Sequence, residues 1–471
     1  MGKKYDFKYV VIGSGPAGST VALKLAKAKK SVCLIEGRFF GGSNLNSRDV
    51  PFAVALDFAH HYHKLATYPE LQHQEFSFNF PTIAARELST VIAAGGNNKK
   101  IFEDAGVICL NGYANFLDEH TIAVGSKKIS AEYFILATGA RPKISEIDIA
   151  ESVQYHTPET AIKARRLPGV VAIVGGGSTG CELAQYYAEL GSRVVLLEAS
   201  DRLLPREDAE VGECIADYFT HRLGIAVLLK SKVMSIGRDE HSDYLIFNYE
   251  GTEKMVRTEI VVLATGSEPV LDYGLENTKV KFKNTGIEVN KMFQTNEKNI
   301  FAVGDAIGGE SSTDRAHYEG AVLASNLVSG SKNLPNYSGL VRVTGTYPEV
   351  AVVGLTEDDL IRRDRKYKKA IVKLDEITAS KINGCNFGFV KVLADRTGHL
   401  LGASIVAPNA SLIAGEFALA LRHGLTTLEL ASMPRMINGL NEAVSIACKN
   451  LINNATLNKK HIPKKSRPKK K

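Results

Sequence analysis

Two stretches of this chain carry the same glycine-punctuated pattern, and few folds accept it. In YVVIGSGPAGSTVALKLAKAKKSVCLIEG, a β-branched run leads into Gly13, Gly15 and Gly18, a helically spaced segment follows, and a second apolar run ends at Glu36. The first glycine permits a tight turn, the second lets a pyrophosphate approach the backbone, and the third lets helix pack on strand. The helix N-terminus then aims free N–H groups at the phosphates. Glu36 stands 18 residues beyond Gly18, where its carboxylate can accept hydrogen bonds from a ribose diol. The pattern recurs in VVAIVGGGSTGCELAQYYAELGSRVVLLEAS with Gly175, Gly177, Gly180 and Glu198 at the same spacing. Two βαβ units of this kind predict two dinucleotide sites. Glu198 repels a 2′-phosphate and no arginine follows until Arg202, so the second site reads as NADH in preference to NADPH.

Shorter segments punctuate the rest: ILATGARP at 135–142, VVLATGSEP at 261–269, NIFAVGDAIGG at 299–309 and RAHYEGAVLASNL at 315–327. Each ATG follows a strand that leads the chain out of a nucleotide-binding domain, and Asp305 follows an apolar strand with a free carboxylate near the glycines. From about residue 340 alternating strands precede helical stretches at 410–424 and 441–453, and the DRTG turn at 395–398 joins two runs of period two as a hairpin does. That order predicts a third, α+β domain. The expected division is 1–150 and 276–336 for the first dinucleotide domain, 151–275 for the second, 337–456 for the third and 457–471 for a disordered tail.

The formal net charge of +7 belongs to that tail: residues 459–471 hold eight Lys or Arg and no acid, and the remaining 50 basic residues face 51 acidic ones. A solubilising end is the first reading, with nonspecific contact to nucleic acid or an anionic membrane as the alternative. Six cysteines without CxxC spacing suggest neither zinc nor a redox pair, and no metal site is expected. Cys181 reads as a small buried hydrophobe, Cys385 as the most exposed thiol, and His60, His61 and His63 as a solvated helix face. With no leader-like start and no long apolar stretch, the expected location is the cytoplasm, without a transmembrane segment.

From about residue 8 to 452 the chain resembles the pyridine nucleotide-disulfide oxidoreductases, the two-dinucleotide flavoproteins that include lipoamide dehydrogenase, glutathione reductase and mercuric reductase. Both glycine fingerprints, both ATG segments, AVGDAIGG and YPEVAVVGLTE at 347–357 match in kind and order. The resemblance implies an α/β fold with two Rossmann-like domains, one for FAD and one for NAD, plus a C-terminal α+β dimerisation domain that forms a homodimer. It implies that Gly13, Gly15, Gly18, Glu36, Gly42, Gly304, Asp305 and Ala316 hold FAD, with Ala137, Thr138 and Gly139 lining it. Gly175, Gly177, Gly180, Glu198 and Gly266 would bind the nicotinamide dinucleotide, and Glu182 would sit by the nicotinamide and flavin rings.

The chemistry departs from the family pattern. Where the family has GGTCLNVGCIPSK, this chain has GGSNLNSRDVPFA at 41–53. Aligned without gaps, the two redox cysteines become Asn44 and Asp49, and the lysine beside the flavin becomes Ala53, which leaves the partner of Glu182 open. The family's HPTLSE stands as INGLNE at 437–442, so Glu442 remains while Ile437 replaces the acid/base histidine; a shifted alignment would put Arg435 there. The expectation is a flavoprotein passing electrons from NADH to a small-molecule acceptor that is not a disulfide, such as a quinone, dye, oxygen or second nicotinamide. Asn44, Arg48 and Asp49 then line the acceptor face, with Arg48 attracting an anionic or quinonoid molecule and Asp49 relaying a proton. In the plainer reading Arg48 and Asp49 form an ion pair and Asn44 bonds the backbone. The alternative function is a catalytically quiet FAD-binding scaffold.

Overall fold

The computed structural model describes residues 5–71, 77–144, 147–163 and 166–453. The expected basic tail at 457–471 lies outside them. The chain divides into two compact units: the first holds the chain through Arg206 together with Ile215–Asn336, the second holds Glu207–Cys214 together with the chain from Tyr337 onward.

In the first unit, strands Ile108–Asn111, Val32–Glu36, Phe7–Ile12 and Lys127–Leu136 lie side by side, and the return strand Ile300–Ala302 pairs with the last. All are parallel, with Val11 opposite Leu34, Ile12 opposite Leu136 and Phe134 opposite Ile300. Parallel strands covered on both faces are apolar at every position, and alternate residues here feed two cores. Val11 and Leu34 join Val21 and Leu25 of the helix Pro16–Lys27 on one face, while Val10, Ile12 and Ile35 join Phe116 and Phe134 on the other. The second parallel sheet runs Ala226–Leu228, Arg193–Leu197, Val170–Val174, Ile260–Leu263, Tyr155–His156, beside an antiparallel meander of Ser231–Arg238, Asp243–Tyr249 and Thr252–Thr258. Both ATG segments lead into short strands that pair with each other, Ala140–Pro142 against Ser267–Pro269.

The second unit is a five-stranded antiparallel sheet in the order Val341–Thr344, Glu349–Gly354, Leu400–Ala407, Phe389–Ala394, Lys368–Lys373. Residues 395–398 do turn a hairpin, but both its strands are buried along their whole length, where alternation predicts one wet face. Helices Ala410–His423 and Glu442–Asn453 cover one face. On the other, the fully buried Lys391 ammonium reaches Glu210 and Glu357 at 2.7 Å and Asp208 at 3.3 Å, and Ser404 Oγ donates to Asp208 at 2.7 Å. The segment Glu207–Cys214, read as part of the second dinucleotide domain, is thereby tied to this sheet. No helix among the described residues is long and apolar enough to cross a membrane.

Candidate functional site

The two glycine turns are built alike. Gly13 and Gly175 hold φ of +97° and +110°, a region where a side chain strains the backbone. A Cβ on Gly18 would collide with the Gly13 carbonyl, and one on Gly180 with the Gly175 carbonyl. Gly15 and Gly177 have ordinary backbone angles, yet an added Cβ would meet nothing within 4 Å. These open positions cap the helices Pro16–Lys27 and Ser178–Glu189, and neither N-terminus is closed by a side-chain hydrogen bond. Free N–H groups facing open space at a helix start are what a dinucleotide phosphate requires.

The two acids expected at the riboses, Glu36 and Glu198, are partly engaged. Glu36 Oε2 accepts from Ser14 N and Ser14 Oγ at 2.9 and 2.6 Å, and Oε1 accepts from Arg38 N at 2.8 Å. Only Oε1 keeps a second lone-pair direction for a hydroxyl. Glu198 accepts from Gly176 N at 2.5 Å on Oε2 and from Ser200 N at 2.7 Å on Oε1, so each oxygen keeps one direction for a diol. Ser14, not singled out by the sequence pattern, also accepts from Gly41 N at 3.0 Å and so ties the glycine turn to the segment carrying Gly42.

Asp305 is not free: Oδ2 accepts from Ser311 Oγ at 2.5 Å. Its turn is held by Glu319, whose Oε2 accepts from Gly304 N at 2.8 Å and whose Oε1 pairs with Arg315 at 2.8 Å. A Cβ on Gly304 would press on Ala17 and Ala316, both at 3.3 Å. Ala137 N donates to Ile12 O at 2.9 Å, Thr138 Oγ1 donates to Val270 O at 3.1 Å, and Gly139 and Gly266 take left-handed φ of +70° and +98° with open space about them.

The segment 41–53 forms the short helix Gly42–Asn46 and the start of the helix Asp49–Thr67. Asn44 Nδ2 donates to Asp49 Oδ2 at 2.7 Å, and Thr313 Oγ1 donates to the same oxygen at 2.6 Å. Asn44 Nδ2 also lies 3.1 Å from Thr313 Oγ1. The plainer sequence reading is thus corrected twice. No Arg48–Asp49 ion pair is present among the described residues, where Asp49 Oδ2 accepts from Asn44 and Thr313, and Asn44 bonds side chains instead of backbone. Ala53 is exposed.

Glu182 sits on the helix Ser178–Glu189, half-buried, just beyond Gly180. Its neighbour Cys181 is fully buried, and burial together with the charges of Glu182 and Glu198 pushes its thiol well up. Burial likewise pushes Cys33 and Cys448 up to about 12 and Cys109 up to about 11. Cys385 is half-buried, with Sγ 2.7 Å from Tyr347 Oη, so it is not an open thiol. Glu442 stands in the second unit, in the first turn of the helix Glu442–Asn453. There Ile437 is 82% exposed, and Arg435 is committed to Glu416, 2.7 Å from Nη2, and to the Leu430 carbonyl. The histidines are not one solvated face either: His61 is exposed, but His60 Nδ1 lies 3.3 Å from Glu189 and His63 is half-buried, because their helix packs on Ser178–Glu189. Among the described residues no three His, Cys, Asp or Glu gather to hold a metal.

Residues 7–320 match the pyridine nucleotide-disulphide oxidoreductase family and residues 341–445 match its dimerisation domain, and the chain belongs to this family. It is 28% identical to the mercuric reductase of Bacillus cereus, over 93% of this chain and 71% of that one. It is 29% identical to the dihydrolipoyl dehydrogenase of Bacillus subtilis strain 168, over 92% and 97%. The fold superposes on the HOCl-induced flavoprotein disulfide reductase RclA from Escherichia coli with a TM-score of 0.83 at 23% identity, covering 94% of this chain and 99% of that one. LpdA from Mycobacterium tuberculosis gives 0.84 at 23%, with the same coverage. The family comprises flavoprotein oxidoreductases that bind FAD and NAD(P)H, and the two open glycine turns of this chain fit two dinucleotides.

Proposed function

We propose that this chain is an NADH-dependent flavoprotein oxidoreductase whose electron acceptor is not a disulfide. The observation that carries this reading is the hydrogen bond between Asn44 and Asp49: two side chains unable to form a disulfide meet where the family resemblance puts the redox cysteines. When bound, FAD supplies the two-electron chemistry. The protein's part is to hold and orient. The turn Gly13–Gly18 with Glu36, Gly42, Gly304, Asp305 and Ala316 would hold the flavin dinucleotide, with Ala137, Thr138 and Gly139 beside it. Gly175, Gly177, Gly180, Glu198 and Gly266 would hold NADH, with Glu182 at the nicotinamide. Glu198 supports NADH over NADPH, since its carboxylate is fixed by two backbone N–H groups and would repel a 2′-phosphate brought to it. At the acceptor face, half-buried Arg48 supplies positive charge for a quinonoid or anionic molecule. Asp49, exposed and held by two neutral donors, can accept a proton.

The matched dimerisation domain supports a homodimer, with Glu442 near the family's acid/base position. We take the reducing cytoplasm as its compartment and the two dinucleotide domains to be 1–150 with 276–336, and 151–275 without the segment 207–214, which packs in the second unit. The test is an anaerobic titration of the yellow protein with NADH and with NADPH, followed by acceptor screening. NADH should bleach the flavin without a long-wavelength thiolate band, and quinones should be turned over while lipoamide, glutathione disulfide and mercuric ion are not. Disulfide turnover would overturn the reading, and a bound flavin that neither nucleotide reduces would leave the quiet scaffold in its place.

A further inference from the structure

A closed triangle of hydrogen bonds holds the Asp49 carboxylate. Asn44 Nδ2 donates to Asp49 Oδ2 at 2.7 Å and to Thr313 Oγ1 at 3.1 Å, and Thr313 Oγ1 donates to Asp49 Oδ2 at 2.6 Å. The donors are fully used: Asn44 spends both amide hydrogens, and Thr313 gives its single hydrogen to the carboxylate while accepting from the amide. Oδ2 thus receives two hydrogens, whereas Oδ1 accepts none among the described residues. Thr313 opens the helix Thr313–Ser329, and that position frees its hydroxyl. Inside a helix a threonine hydroxyl turns back to a carbonyl three or four residues earlier, but no helical carbonyl precedes the first residue. Nor is Thr313 the cap, since Ser312 takes that role and accepts from Arg315 N at 3.3 Å. The contact with Asp49 is therefore not a by-product of starting a helix, and it ties this helix to a carboxylate 264 residues earlier in the chain.

We propose, resting on the reading of Asp49 as the proton carrier of the acceptor face, that Thr313 is a positioning residue: its hydroxyl, together with the Asn44 amide, fixes Asp49 so that Oδ1 alone meets the acceptor. A free aspartate turns about its broad terminal torsion and offers either oxygen. One donor on Oδ2 leaves the carboxylate swinging about that bond, and a second donor arriving from another helix fixes its plane. Threonine suits this task because its branched Cβ restricts χ1 and so the direction of the hydroxyl. A fixed acceptor atom is already in the reactive geometry, and misplacing such a group is costly in rate. A quinonoid acceptor takes up two electrons and two protons. NADH supplies both electrons and one hydrogen; the second proton comes from solvent, is taken up at Asp49 Oδ1 and passes to the acceptor oxygen. Thr313 keeps its own hydrogen throughout, and no bond to it is made or broken.

The half-reactions are separated by stopped flow in the flavin-loaded protein, with a water-soluble benzoquinone as oxidant. Thr313→Val keeps the shape and removes the hydroxyl: reoxidation should slow by about five- to tenfold, the scale of one hydrogen bond, while reduction by NADH and flavin content stay as in wild type. Thr313→Ser should restore reoxidation. In an Asp49→Ala background Thr313→Val should add no further slowing, because a residue that acts through Asp49 has nothing left to act on. Thr313→Ala takes the place of the valine variant if that one does not fold. Reoxidation at the wild-type rate, a loss shared equally by both half-reactions, or a loss that adds to that of Asp49→Ala overturns the proposal. A second readout needs no turnover: carbodiimide coupling of an amine to the Asp49 carboxyl, followed by peptide mass mapping. With one donor gone, coupling there should run about fivefold faster in Thr313→Val and at the wild-type rate in Thr313→Ser. If the benzoquinone does not reoxidise the wild type, the acceptor reading falls and the coupling rates decide alone: faster coupling in the valine variant supports Thr313 as the residue that holds Asp49, and equal rates overturn it.

Discussion

Asn44 donates a 2.7 Å hydrogen bond to Asp49, and Thr313, 264 residues beyond Asp49 in the chain, donates to the same carboxylate oxygen at 2.6 Å. Two helix starts and a distant third helix thus converge on one exposed carboxylate. Replacing Asp49 by Ala removes a proton acceptor and two hydrogen bonds worth about 1 kcal/mol each. Acceptor turnover should fall by about 100-fold, the usual scale for loss of a general base, while anaerobic reduction by NADH keeps its rate. Stopped-flow measurement of the two half-reactions separates the effects, and an equal loss in both would place Asp49 outside acceptor chemistry.

The Glu198 carboxylate is held by the backbone N–H groups of Gly176 and Ser200. Glu198→Gln keeps one acceptor oxygen for the loop and removes the charge that repels a 2′-phosphate. NADPH affinity should rise relative to NADH by about tenfold, corresponding to about 1.4 kcal/mol. Direct titration of both nucleotides checks this, and an unchanged ratio would mean that discrimination resides elsewhere.

Gly15 and Gly18 should fail in different ways. Gly15→Ala meets open space with ordinary backbone angles, so the protein should fold with unchanged thermal midpoint yet lose most of its flavin. Gly18→Ala drives a methyl into the Gly13 carbonyl, so it should lower the midpoint as well. Calorimetry alongside flavin content distinguishes the two, and equal destabilisation would contradict the assignment of Gly15 to ligand approach.

Lys391, itself without solvent access, pairs with Asp208, Glu210 and Glu357, and Lys369 adds a second positive charge on Glu210 and Glu357. Lys391→Met should cost about 3 to 5 kcal/mol, the scale for leaving buried charge uncompensated. Burial pushes Glu357 up, but hydrogen bonds from Lys391, Tyr367 and Lys369 outweigh it and hold the carboxyl at about 2. A depressed carboxyl contributes stability above its ordinary range, and that contribution is lost as pH falls toward the folded value. Acid unfolding of wild type should therefore steepen below about pH 4, and the variant should lose that steepening; parallel acid transitions would show that the cluster does not carry it.

The family, both dinucleotide turns and the hairpin at 395–398 were legible because each is a local device: a glycine that must take positive φ or vanish beneath a helix leaves its mark within a few residues. Gly13, Gly18, Gly175 and Gly180 are such positions. Thr313 beside Asp49, Glu319 beneath Gly304 and Ser14 beneath Glu36 were not legible, because a hydrogen bond between distant segments has no spacing rule.

The sequence by itself determined the two βαβ turns and the residue types at 44 and 49, since these follow from local backbone sterics and side-chain chemistry. Only the tertiary structure decided that strands 389–394 and 400–407 are buried on both faces, that residues 207–214 belong with the second unit, and that His60 meets Glu189. The reason is physical: local geometry is written in neighbouring residues, whereas burial and charge pairing depend on which surface arrives from elsewhere in the chain to exclude water.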